Sequence, residues 1–416
     1  MWKIAFWILF LAAASWEVVL HALEWRHLKT LEGGPPQEMI RILPDNYNWH
    51  RGIKYAQDHL RLGLGETLSS YTLMAVAIES GLYAAVSSWA GMTFTSPFLA
   101  GLVFGVVASA TVWLVQLPWE WSEAFRVEES YGFNRASPAL FWRDQLVKLS
   151  FLCAIGGGLL GSLTWLSGKP LWPLWGFLLL FGVELFFVAF LPIVVVPLFC
   201  RLGPLQDEAL RQQIEGLLQS VGFRPAKVLV ADASKRSLHG NAFLAGLGRA
   251  KRVVLFDTLM RSFPHQEILA IIGHELGHWK RRHAASRLGL LLSFEACAFF
   301  FLWVAMTSPL FAASFGLEGL SHGSLGLAVA MLGFISTLSF QPLLSSRARK
   351  EEFEADAFGA ECAGREAMTE ALRRLSSENL AWSPPHKLYA AWYHSHPSML
   401  ERLLLLSDGE GCSVAK

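Results

Sequence analysis

Charge is scarce in this chain. Only 17% of its 416 residues are Asp, Glu, Lys or Arg, against about 25% in an ordinary soluble domain. So little charge cannot cover a water-facing surface, and with 53% hydrophobic residues the composition is that of a membrane protein. A surplus of either sign is also missing. The formal net charge is +1, and no Lys/Arg-rich tail supplies the electrostatic footprint of nucleic-acid binding. Cysteine is sparse and unpatterned: Cys153, Cys200, Cys297, Cys362 and Cys412 show no C-x-x-C spacing, which argues against a disulfide framework or a thiolate metal site. The closing C-S-V-A-K has one residue too many after Cys412 for a prenylation box.

Long apolar runs are abundant. A bilayer core about 30 Å thick needs roughly 20 mostly apolar residues per helix, and stretches that approach this begin near Ile4, Leu68, Pro97, Leu149, Leu171, Leu288 and Leu325. Seven transmembrane helices are therefore expected, divided as five with their polar loops over 1–199 and two more over 288–344. The first run is read as a span and not a cleaved leader because its apolar pattern continues past Glu17. Pro192 and Pro197 predict a kinked end to the fifth. Lys and Arg gather on one set of connections, among them Arg26, Arg51, Arg126, Arg143, Lys280, Arg281 and Arg347. The positive-inside rule then places the polar regions in the cytoplasm and the N-terminus outside.

Two polar stretches, 200–287 and 345–416, are read as two parts of one small α+β domain. Leu205 to Val221 has helical periodicity; Lys227–Ala231 and Arg252–Phe256 are short β-branched runs that predict strands. A helix follows from Pro264 past His278 and carries H-E-L-G-H. His274 and His278 are four residues apart, one helical turn, so both imidazoles leave the same face and can bind one Zn²⁺ with Glu275 beside the open position. A third ligand is expected among the acidic residues of R-K-E-E-F-E-A-D-A-F, where Glu352 and Asp356 share a face. Spacing alone does not choose Glu352 over Glu351 or Glu354. His239, His283 and His394 are read as packing or surface residues.

Five blocks then carry a resemblance over almost the whole chain: V-E-E-S-Y-G-F-N-R from Val127, H-G-N-A-F with R-V-V-L-F-D-T-L, G-H-E-L-G-H-W, E-F-E-A-D-A-F, and S-H-P-S-M-L-E-R-L from Ser395. The chain resembles the integral-membrane CAAX prenyl endopeptidases, also called a-factor-converting enzymes, the sterile-24 type of zinc metalloprotease. The resemblance implies a seven-helix α-helical membrane protein enclosing a chamber, with a zinc protease domain of gluzincin type. It implies Glu352 as third zinc ligand with Asp356 behind a ligand imidazole, and it places Asn241, His396 and Arg402 around the scissile peptide. The expected chemistry is zinc-assisted hydrolysis with Glu275 as general base and His396 helping to stabilise the oxyanion.

The expected partners are the bilayer and a peptide or protein substrate, prenylated or not, with no nucleic acid and no second copy of the chain. A length below that of typical eukaryotic members suggests a bacterial source, hence an inner-membrane location, or the endoplasmic reticulum if the source is eukaryotic. Membrane-protein quality control, by cleavage or as a non-cutting scaffold, is the rival role. Arg252–Phe256 is expected to bind extended substrate by edge pairing. Glu17, Glu79, Glu184 and Glu295 are expected inside spans, facing a wet chamber.

Overall fold

The structure, a computed structural model, describes residues 1–190, 194–223, 227–246, 251–317 and 321–407; Pro192 and Cys412 lie outside the described residues. Among these, five helices are long and apolar enough to cross a membrane: Trp2–Leu31, Pro97–Glu128, Pro138–Leu166, His283–Thr307 and His322–Ala363. Trp49–Glu79 and Leu82–Thr93 form a pair bent by 65°, and Trp172–Val188 is a shorter apolar helix. The bend sits at Ser80 and Gly81, where Gly81 adopts φ 77°, a left-handed conformation that only glycine takes up without penalty. Glu79 consequently closes a helix and pairs with Lys3 at 3.0 Å, both side chains exposed. It thus stands at the bend of this pair. Glu184 and Glu295 do meet inside the bundle, carboxyl to carboxyl.

The polar half contains a four-stranded sheet with β1 Leu202–Pro204, β2 Lys227–Ala231, β3 Ala242–Ala245 and β4 Arg252–Phe256. Its order is β1-β2-β4-β3. β4 pairs parallel with β2 and antiparallel with β3. Both its edges are therefore occupied, and the expectation of substrate pairing on Arg252–Phe256 is overturned: its N–H and C=O groups already serve the ladder. Among the described residues β3 is the terminal strand on this side of the sheet.

Leu210, Ile214 and Leu218 of helix Glu208–Ser220, Val253 and Leu255 of β4, and Ile268, Ile272 and Leu276 of helix His265–Lys280 are all buried in one core. Their i, i+4 spacing puts one stripe of each helix against the sheet. A second core joins Leu28, Trp49 and Ile53 from the first membrane helices to Ala270, Met368, Trp382 and Leu403 of the polar half. The two polar stretches therefore pack with each other and with the ends of the bundle.

Candidate metal centre

Two helices build the site. Pro264 precedes the first turn of His265–Lys280, where a missing N–H costs nothing. The second, Gln341–Ala363, continues the last membrane helix through a π-helical segment, Ser336–Phe340. They approach very closely because small residues face each other. A Cβ on Gly277 would lie 2.9 Å from the Cα of Ala355, and one on Gly359 would lie 2.9 Å from the carbonyl oxygen of Ala270 and 3.1 Å from the nitrogen of His274. Side chains at these positions would hold the helices apart.

That approach brings Glu352 to the two histidines. His274 Nε2 and His278 Nε2 stand 3.2 Å apart; Glu352 Oε1 is 3.2 Å from the latter and Oε2 is 3.6 Å from the former. Ligand atoms of the three residues all lie within 4.8 Å of one another, the one such group among the described residues. Two imidazoles and a carboxylate converging on one point are the donor set of a catalytic zinc site. Helix phase separates the three glutamates: Glu351, buried on another face, pairs with Arg287 and Arg347, and Glu354 faces His283 at 3.3 Å.

Behind the donors the surroundings differ. His274 Nδ1 is 2.8 Å from Asp356 Oδ1. Arg402 forks onto Asp356, Nε donating at 2.7 Å and Nη2 at 2.5 Å, and all three residues are buried. Arg402 thus comes to the back of the centre, holding Asp356, with Nη2 3.8 Å from Glu352. His278 Nδ1 faces His283 Nδ1 at 2.9 Å. His283 can turn back in this way because Arg282 takes φ 57° and breaks the helix, an uncommon conformation for a residue with a side chain. Sequence reasoning left His283 as a packing residue; its place five positions after His278 is the only signal it gave.

On the open side His396, 63% exposed, lies in the loop before Met399–Ser407 with Nδ1 2.6 Å from Glu352 Oε2. Asn241 is exposed and is not part of this cluster. Its Oδ1 accepts from its neighbour Ala242 N and its carbonyl from Phe256 N, which fixes the start of β3. The electrostatics suit cation binding. Burial opposes ionisation of Glu352, but hydrogen bonds with His278 and His396 hold its carboxyl far below the usual range. Burial likewise opposes ionisation of Asp356, and Arg402 wins, keeping it ionised. Glu275 goes the other way: burial lifts its carboxyl, against the pull of His274 and His278, as befits a proton acceptor.

Comparison with known proteins now decides the family. Residues 204–409 match the model of peptidase family M48, and residues 24–201 match that of the CAAX prenyl protease N-terminal region, five membrane helices. A CAAX prenyl protease 1 homolog of Oryza sativa is 34% identical over 336 residues, covering 77% of this chain and 76% of its own. The chain belongs to peptidase family M48. It is accordingly a multi-pass membrane metalloprotease. The human CAAX prenyl protease 1 homolog is 28% identical over 94% of this chain and 92% of its own. The crystal structure of S. mikatae Ste24p is similar in fold, with TM-score 0.87, 26% identity and coverage of 97% of this chain and 98% of that one. The M48 match spans both polar stretches and the two membrane helices between them.

Proposed function

We propose that this M48 protein is a zinc-dependent endopeptidase that cuts peptide bonds near the C-terminus of CAAX-type prenylated substrates or other membrane-associated ones. The observation that carries the reading is the convergence of His274, His278 and Glu352 beside Glu275, reinforced by CAAX prenyl protease 1 relatives that align over most of the chain. His274, His278 and Glu352 hold the metal, which when bound supplies Lewis acidity toward water and the scissile carbonyl. Glu275 accepts the proton of the attacking water and delivers it to the leaving amine. His396, exposed above Glu352, donates to the developing oxyanion. Arg402 and Asp356 act from behind, orienting His274. The substrate lies extended along the free edge of β3, with Asn241 at its start.

Seven spans follow if the bent pair counts as one and Trp172–Val188 as another, beside the five long helices. The gluzincin assignment rests on the carboxylate as third donor, and a wet chamber is favoured by Glu184 and Glu295, each with a buried oxygen lacking a protein partner. Concentration of Lys and Arg around the polar half supports a cytoplasm-facing centre in a chain working as a monomer. The test offers the purified protein a farnesylated CAAX peptide, its unprenylated twin and a misfolded membrane protein, with and without chelator. Chelator-sensitive cleavage preferring the first is expected; cleavage indifferent to chelation would sink the zinc assignment. Glu275→Gln should keep the metal and lower kcat about 10²- to 10⁴-fold, whereas a scaffold would keep its cellular activity.

A further inference from the structure

Two of the sequence blocks, V-E-E-S-Y-G-F-N-R and H-G-N-A-F, contribute no donor to the metal centre, yet the fold brings them together. Glu128 closes a π-helical segment, Glu123–Glu128, at the end of a membrane helix. Its Oε1 accepts from the Tyr55 hydroxyl at 2.6 Å and lies 3.1 Å from His59 Nε2, while its Oε2 lies 3.0 Å from His239 Nε2. The other nitrogen of His239, Nδ1, is 2.8 Å from Asn379 Oδ1, and its ring lies against Phe133 with centroids 4.4 Å apart. Both nitrogens thus face acceptors, which suits a doubly protonated, cationic imidazole. The backbones meet as well. Arg135 N donates to Arg236 O, Leu238 N to Phe133 O, and Asn134 bridges Ser237 in antiparallel sense.

Two residues beyond His239, Asn241 leads into β3. That strand is four residues long, has β4 as its one partner strand among the described residues and packs against the H-E-L-G-H helix. So short an edge is weakly held by its own ladder. We propose that Glu128 and His239 are positioning residues that clamp β3 to the membrane half and hold its free edge in register for the substrate. This rests on the reading of β3 as the substrate edge. Breaking a partly buried, hydrogen-bonded ion pair leaves the surviving partner poorly satisfied. The loss falls on the segment with the fewest other restraints, and the register of β3 depends on it.

Full-length protein in lipid nanodiscs provides the test, with Glu128→Gln, His239→Gln, their double variant and the milder Tyr55→Phe. Amide exchange of residues 242–244 is expected to accelerate while that of 266–278 stays as in wild type. For the farnesylated peptide KM should rise about tenfold, the worth of one charge-assisted hydrogen bond, with kcat and metal content nearly unchanged. The double variant should resemble either single one, and Tyr55→Phe should shift the same readouts less.

The pH arm has a defined sign. Burial lowers the affinity of His239 for its proton, but Glu128 and Asn379 more than offset that and raise it above the usual value. A raised value means the pair contributes in full below the unfolded value of about 6.5 and loses that contribution as pH rises through the folded value. Among the groups around it, Glu128 is the anion, shared with His59 and Tyr55, and Asn379 and Phe133 are uncharged. Protection of 242–244, corrected for intrinsic rates, should therefore fall with rising pH in wild type and stay flat in His239→Gln. Unchanged exchange at 242–244 in the Gln variants overturns the proposal, as does a loss spread equally over 266–278. If wild type fails to cleave the peptide, the proposed function falls, and the exchange data still decide whether the clamp exists.

Discussion

The two histidines of one helical turn are supported in opposite ways. His274 is backed by Asp356 and Arg402, all buried, in a chain of charge-assisted hydrogen bonds. His278 is backed by a second imidazole, His283, which reaches Glu354, whose side chain is 37% exposed. Water reaches only the far end of one support, at Glu354, His283 itself being buried, and is excluded from the other. In low dielectric a carboxylate and guanidinium in fork geometry are strongly coupled, so one side of the centre is rigid and costly to break, whereas near solvent such pairs contribute little. The rigid side also carries the element that travels farthest in sequence, since Arg402 arrives from the tail.

The sharpest way to break this contrast is Arg402→Leu, which leaves Asp356 a buried anion without its guanidinium, held only by His274. A loss of about 3–5 kcal/mol is expected, read as a large drop in the thermal midpoint in detergent; a midpoint unchanged from wild type would show that Asp356 is not held as described. Next, Asp356→Asn should weaken zinc binding about 10- to 100-fold in competition with a fluorescent chelator, because His274 loses the anion that orients it. His283→Gln, on the screened side, should cost about tenfold at most in the same assay, and equal losses for the two variants would abolish the asymmetry. The smallest effect belongs to Glu354→Gln, about fivefold or less, and it should shrink further in high salt.

Much of this was legible beforehand because it is local. The i, i+4 histidines, the Pro264 start, the helix over Glu208–Ser220 and the strands over Lys227–Ala231 and Arg252–Phe256 follow from periodicities within one segment. β3 was missed because Ala242–Ala245 is four residues long, too short for alternation to register. Its absence from the sequence reading made Arg252–Phe256 look like an edge. The bend beside Glu79 gave no signal, because hydropathy averages across the turn that Gly81 creates. His283 and the pairing of Glu128 with His239 gave almost no signal, since a lone histidine has the same appearance whether it packs, ligates or clamps.

Taken alone, the sequence determined a membrane chain with a histidine pair able to share one metal ion, for composition and helical pitch depend on nothing distant. Spacing left three glutamates open and the family resemblance pointed to Glu352; the tertiary structure supplied the contact that brings Glu352 to the histidines, the burial of Arg402 against Asp356 and the order of the strands. Those answers depend on the phase and separation of two helices brought into contact at Gly277 and Gly359, and on strand order in the sheet. Both are set by packing between segments that no local pattern relates.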